Sequence, residues 1–254
     1  MLCSLMPSNR AARNAWHLCL SSRMTTRILP SPDVFASCPF DGKVLQYYAG
    51  TFEAVFVSLN PFIRPITINK EEFKPGTYPS RASIVTNCEP VSWSDVVRLA
   101  ELPSFSAVDI GLRTGIGGLK KELENQSYAS AIGALSDTQS ILTPSEGLFP
   151  DLLHDKILQS IQGLGYEWLW AGDEFCTERK LHWIDDLKNQ DDGLTRGRFN
   201  VFTPDKQLLW TIHWDSHFSF LCSSQQNLAA IQTMSDLEGF FCTPSTEVYW
   251  SVFP

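Results

Sequence analysis

The stretch that decides the fold is RFNVFTPDKQLLWTIHWDSHFSFLCSS, residues 198–224. Apolar runs on either side of TPDK at 203–206 give a β-hairpin, with Pro204 and Asp205 supplying the turn chemistry. From 209 to 221 apolar and polar side chains alternate, the period of a strand. Trp210, Ile212, Trp214, Phe218 and Phe220 share one face, interrupted only by Ser216; Thr211, His213, Asp215, His217 and Ser219 share the other.

Further strands are expected outward from this core. EAVFVSLNPF predicts a buried strand at 54–58 that ends at Asn60-Pro61, because the residue before a proline is pushed toward extended backbone. YEWLWAG at 166–172 reads as a strand, LHWIDDL at 181–187 as a short strand or a helix, and TEVYWSVF at 246–253 as a final strand. Helices are expected from Ser92, an N-cap with Asp95 favoured by the helix dipole, over about 114–125, and over 224–234. Thr143-Pro144-Ser145-Glu146 has the form of a capping box with proline at the first helical position. Phe149, Leu152, Leu153, Ile157 and Ile161 follow at helical spacing until Gly163 and Gly165. This order predicts an α+β protein, a helical first half packed on a mainly antiparallel C-terminal sheet. Residues 24–50 read as an irregular arm and 63–91 as a long connection.

Residues 1–23 carry three arginines and no acid, and are read as a non-native or disordered leader with Met24 as the true start. Residues 24–254 then form one α+β domain, or two subdomains meeting near 140–165. The whole chain has 28 acidic and 20 basic residues, a net charge of −8; without the leader 17 basic residues remain and the charge becomes −11. Nucleic-acid binding is excluded as an expectation, because neutralising phosphates needs a basic face and no Lys/Arg run exceeds two residues. No run of about 18 apolar residues predicts a membrane span. The seven cysteines, at 3, 19, 38, 88, 176, 222 and 242, include no C-x-x-C pair, which fits a reducing cytoplasm and gives no zinc or redox motif.

His213-Trp-Asp215-Ser-His217 is the sharpest chemical constellation. Imidazole and carboxylate suit zinc or non-haem iron. On a straight strand, however, alternate residues stand about 7 Å apart and diverge. The plainer reading is therefore the polar face of a sheet, with Asp215 bonded to a neighbouring histidine. Gly115-Ile-Gly117-Gly118-Leu-Lys120-Lys121 resembles a phosphate loop before a helix but matches no nucleotide fingerprint. Asp185, Asp186, Asp191 and Asp192 form an acidic stretch that could face a basic partner.

LNPF at 59–62, EPVSW at 89–93, TGIGGLKKEL at 114–123 and SEG at 145–147 resemble a family of bacterial proteins classed only as a domain of unknown function. That resemblance implies a bacterial cytoplasmic protein and carries no known catalytic residues. In style, the aromatic C-terminal half is also similar to immunity proteins that neutralise bacterial toxins. Two functions are therefore expected. The first is an acidic protein-binding module of the immunity type that blocks a basic toxin or other basic partner, with no cofactor. The alternative is a metal-dependent hydrolase using His213, Asp215 and His217 as ligands or acid–base groups around a divalent metal, with 63–91 as a lid. A buried concave pocket gathering His213 or His217 with a distant carboxylate such as Asp173 or Glu174 would favour the enzyme.

Overall fold

A computed structural model describes residues 30–189, 194 and 199–248. Every element below belongs to the unit that begins at Pro32. The expected leader, Asp191, Asp192 and the end of the last expected strand lie outside the described residues.

In chain order the elements are β1 (Gly42–Lys43), α1 (Val44–Tyr47), β2 (Ala54–Leu59), β3 (Phe62–Pro65), α2 (Arg81–Asn87), β4 (Cys88–Val91), α3 (Trp93–Leu99), α4 (Phe105–Gly115) and α5 (Gln126–Gln139). Then come α6 (Asp151–Gly163), β5 (Trp168–Gly172), β6 (Arg179–Trp183), α7 (Ile184–Asn189), β7 (Asn200–Phe202), β8 (Leu209–Ile212), β9 (Phe218–Ser223), α8 (Gln225–Ser235), β10 (Gly239–Phe241) and β11 (Glu247–Val248). The architecture is α+β, and its main sheet has seven strands in the order β10-β2-β9-β8-β7-β5-β6, every neighbouring pair antiparallel. β2, from the first half, thus sits between two strands of the second.

Helices cover both faces. Val96 of α3, Val108 and Leu112 of α4, and Ile132 and Leu135 of α5 pack with Val55, Val57, Leu209, Phe218 and Phe220. On the opposite face Leu153, Ile157, Leu158 and Ile161 of α6, Ile184 of α7, and Leu228 and Ile231 of α8 pack with Phe56, Trp210, Ile212 and Leu221. Every residue of β2, β8 and β9 is consequently buried. An antiparallel sheet commonly leaves one face to solvent. Here Thr211 and Ser219, assigned to a polar face by the alternation, lie inside instead. Their hydroxyls are satisfied locally: Thr211 donates to Asn200 Oδ1, and Ser219 Oγ accepts from Trp210 Nε1 at 3.0 Å.

The alternation also conceals a reversal. β8 stops at Ile212 and β9 begins at Phe218, and their register pairs Ile212 with Ser219 and Trp210 with Leu221. Even positions of β8 therefore share a face with odd positions of β9, so Trp210 and Phe218 belong to opposite cores. The expected single strand through His213, Asp215 and His217 is a turn.

Three local readings near the site change as well. α4 ends at Gly115, so the Gly117-Gly118 segment follows a helix C-terminus, where the dipole repels anions; the helix expected over 114–125 lies upstream. The Thr143-Pro144-Ser145-Glu146 signal caps nothing: α6 begins at Asp151, and Gly147 occupies the left-handed region at φ +60°. A side chain at 147 would run into the backbone carbonyl of Trp214. The connection at 63–91 holds β3, α2 and β4, with Arg81 of α2 paired to Asp155 of α6. By contrast Ser92 caps α3 as expected, its Oγ accepting from Asp95 N–H at 3.0 Å.

Gly239 marks the tightest edge of the sheet, since a Cβ there would strike the Val57 carbonyl and the Phe56 ring. Gly239→Ala must lift β10 from β2. It is expected to lower the unfolding free energy by roughly 2–4 kcal/mol, read from the midpoint of a urea titration at unchanged slope.

Candidate functional site

Three loops meet at one end of β2, β8 and β9: residues 59–61, 143–150 and 213–217. The last is knotted by Ser216, whose Oγ donates to His213 O at 2.7 Å and lies 3.1 Å from Phe218 O. Asn60 N–H donates to His217 O at 3.0 Å, and Gly147 N–H donates to Ser216 O at 2.9 Å. Asn60 is itself fixed, its carbonyl accepting from Trp93 Nε1 at 2.7 Å. The turn is therefore tied to both neighbouring loops through backbone atoms, and its two histidines are fixed in direction.

They point to different places. His217 is 2% exposed and forms part of the wall of a cavity of about 480 Å³ with Glu146, Tyr78 and Ser145. His213 lines a separate cavity of about 360 Å³ with Glu174, Phe40, Phe175 and Trp214. Asp215 does not bring the two rings onto one centre; its backbone N–H donates to His213 Nδ1 at 3.2 Å. Among the described residues no three His, Cys, Asp or Glu side chains gather to hold a metal ion. Each histidine does share a cavity with a carboxylate, His213 with Glu174 and His217 with Glu146.

The two histidines differ in availability. His213 accepts from Asp215 N–H at Nδ1 and hydrogen-bonds to the Phe40 backbone, so its ring secures the turn. His217 Nδ1 is buried and finds no hydrogen-bond partner among the described residues. Burial, and then the charge of Arg113, pushes each imidazole down to about 4. Both rings are neutral at neutral pH. For Glu146, burial first and the neighbouring Asp215 second raise the carboxyl; for Glu174, burial leads, followed by Asp173 and Asp215.

Arg113 was not among the residues singled out from sequence. It sits in the last turn of α4, where the dipole favours a cation, yet it is 1% exposed and both Nε and Nη1 lack a hydrogen-bond partner among the described residues. Two buried guanidinium nitrogens without an acceptor are costly and demand an explanation. Only its burial distinguishes it, and Gly111-Leu-Arg113-Thr-Gly115 carries no local sign of that.

Other candidates are spent elsewhere. Asp185 takes up Gln162 Nε2, Trp183 Nε1 and Lys188 Nζ, at 3.2, 3.2 and 2.8 Å. Asp173 holds the turn after β5 by accepting from Thr177 N–H at 2.7 Å. The thiols of Cys38, Cys88, Cys176, Cys222 and Cys242 are all free, and burial raises each, so none is primed as a thiolate.

A chain of this architecture belongs to the α+β proteins with a helix-covered antiparallel sheet. More particularly, residues 41–252 match the family described as a protein of unknown function, DUF2711, and the chain belongs to that family. No curated protein and no solved structure matches it. No helix among the described residues is long and apolar enough to cross a membrane.

The depressed histidines impose a pH dependence. A histidine near 4 in the fold and at its ordinary 6.5 when unfolded lets the unfolded chain take up protons first as pH falls. Its contribution is complete above 6.5 and lost as pH drops through 4. Asp151 acts in the opposite sense, because burial raises it from 3.8 to about 6 and its protonation favours the fold over the same window. The comparison that isolates the histidine is with His217→Gln. This variant is expected to lose up to about 3 kcal/mol less than the native chain between pH 7 and pH 4, measured by urea unfolding at both values.

Proposed function

We propose that this protein binds a small anionic molecule in the cavity of about 480 Å³ and acts on it by acid–base chemistry. The observation that carries this reading is the buried, unpartnered Nδ1 of His217 on the cavity wall, with the charge of Arg113, itself off that wall, acting on the same ring. The positive field of Arg113 favours a carboxylate or phosphate as the guest. His217, neutral and free at Nδ1, is the proton acceptor. Glu146, on the same wall and raised by burial and by Asp215, is the carboxyl placed to exchange a proton with the guest. The cavity's size suits a small organic molecule, and Phe73, Ile116 and Ile141 provide its apolar lining.

This reading replaces metal ligation as the role of the His-x-Asp-x-His segment and keeps the enzyme class. The first expectation, a protein-binding module, rests on the acidic charge, −8 for the whole chain and −11 without residues 1–23. Of its described candidates, Asp185 is engaged internally while Asp186 is exposed.

The test is calorimetric titration with acetate, benzoate and inorganic phosphate, with benzamide as the uncharged counterpart of benzoate. At least one anion is expected to bind and raise the melting temperature saturably, and benzamide to do neither. Arg113→Met is expected to keep the fold, its apolar side chain taking the place of a buried guanidinium that lacks acceptors at Nε and Nη1. It is expected to weaken the anion by at least about tenfold, or 1.4 kcal/mol. Failure of all three anions, or equal binding of benzoate and benzamide, contradicts the proposal.

A further inference from the structure

The second cavity, of about 360 Å³, has the opposite electrostatic character. Its rim is aromatic and open to solvent: Phe40 is 67% exposed, Phe175 54% and Trp214 48%. Three large aromatic side chains held in water around one concavity are not explained by the core, because neither hydrophobic cluster of the sheet includes Phe40, Phe175 or Trp214. Tyr47 contributes a fourth ring to the wall, and the Phe40 ring lies 6.2 Å from that of His213, which in turn lies 6.2 Å from the indole of Trp214. The rings are thus neighbours rather than scattered surface residues.

The only formal charge on the cavity wall among the described residues is the carboxylate of Glu174. Its nearest electrostatic neighbours are acids, Asp173 and Asp215. No lysine or arginine lines the cavity among the described residues, and His213 stays neutral because its ring is buried and the charge of Arg113 opposes its protonation. Aromatic faces carry negative quadrupole potential, so rings and carboxylate together make a concavity that attracts positive charge and has no donor array for an anion. The rings also exclude a strongly hydrated ion, which would lose its water without gaining oxygen ligands. The complementary guest is an organic cation whose charge is spread over apolar carbon.

We infer that the Phe40–Phe175–Trp214 cavity is a second binding site, for a small quaternary or alkylated ammonium group, with the rings facing the alkyl shell and Glu174 supplying the counter-charge. It shares no lining residue with the anion cavity and lies against the other histidine of the turn. The position of Trp214 on the rim makes occupancy visible.

The probes are choline and its uncharged isostere 3,3-dimethyl-1-butanol, titrated into the full-length protein and followed by the indole N–H resonance assigned to Trp214. Choline is expected to shift that resonance saturably, with the isostere weaker by about tenfold or more. Glu174→Gln and Phe175→Leu, both changes at solvent-accessible positions, are expected to weaken choline several-fold while leaving the melting temperature and the benzoate response unchanged. Equal affinity for the two probes would show an apolar pocket without charge selection and would overturn the inference. So would the absence of any choline-dependent shift, or a choline response that survives both substitutions.

Discussion

Burial of both faces of β2, β8 and β9 is the constraint on which the rest of the molecule depends. Helices α3, α4 and α5 close one face and α6, α7 and α8 the other, so no solvated sheet surface remains for polar chemistry along these strands. Polar function is pushed to the strand ends, where backbone must turn and where carbonyl and amide groups need partners. The turn at 213–217 is the place where that happens. Asn60 and Gly147 tie it from either side through backbone hydrogen bonds, and Ser216 closes it internally. Two histidines that would have faced one way on a strand are turned toward two separate cavities.

Arg113 gives this end of the molecule its electrostatic identity. One buried positive charge works against the protonation of both imidazoles, and desolvation works in the same direction with greater weight. Neutral imidazoles beside a lone buried guanidinium form an environment that accepts negative charge without a metal. Across the turn, the carboxylate of Glu174 and the aromatic rim create the converse environment. The same five-residue turn therefore separates a cavity suited to an anion from one suited to a cation. The net charge of −8, which shaped the expectation of a basic protein partner, says little about either, because each is decided by a few desolvated groups.

Much of the scaffold is legible from local rules. The buried strand at 54–59, the Ser92 cap and the 200–212 hairpin are each specified within a few residues, by apolar runs, a hydroxyl cap or turn chemistry. The 213–217 turn escapes because it contains no glycine or proline and its side chains continue the period-two pattern; Ser216 and partners distant in sequence make it a turn. The capping-box reading at 143–146 fails because the Trp214 backbone packs against Gly147, a tertiary contact that outweighs local preference. α5 escapes because only Ile132 and Leu135 of its fourteen residues are buried, too few for a clear helical stripe. His213 and His217 are recognisable as functional residue types, but which carboxylates accompany them, and that Arg113 lies among them, is set by packing alone.

The central claim is that Arg113 and the two histidines act as one electrostatic unit with both rings neutral. Side-chain ¹H–¹⁵N spectroscopy of the imidazoles at about pH 5.5, below the ordinary histidine value, tests it directly. The account predicts neutral rings for His213 and His217 at that pH, and an upward move of both titrations together in Arg113→Met. A protonated ring at either position, or titrations that ignore the loss of Arg113, would contradict it.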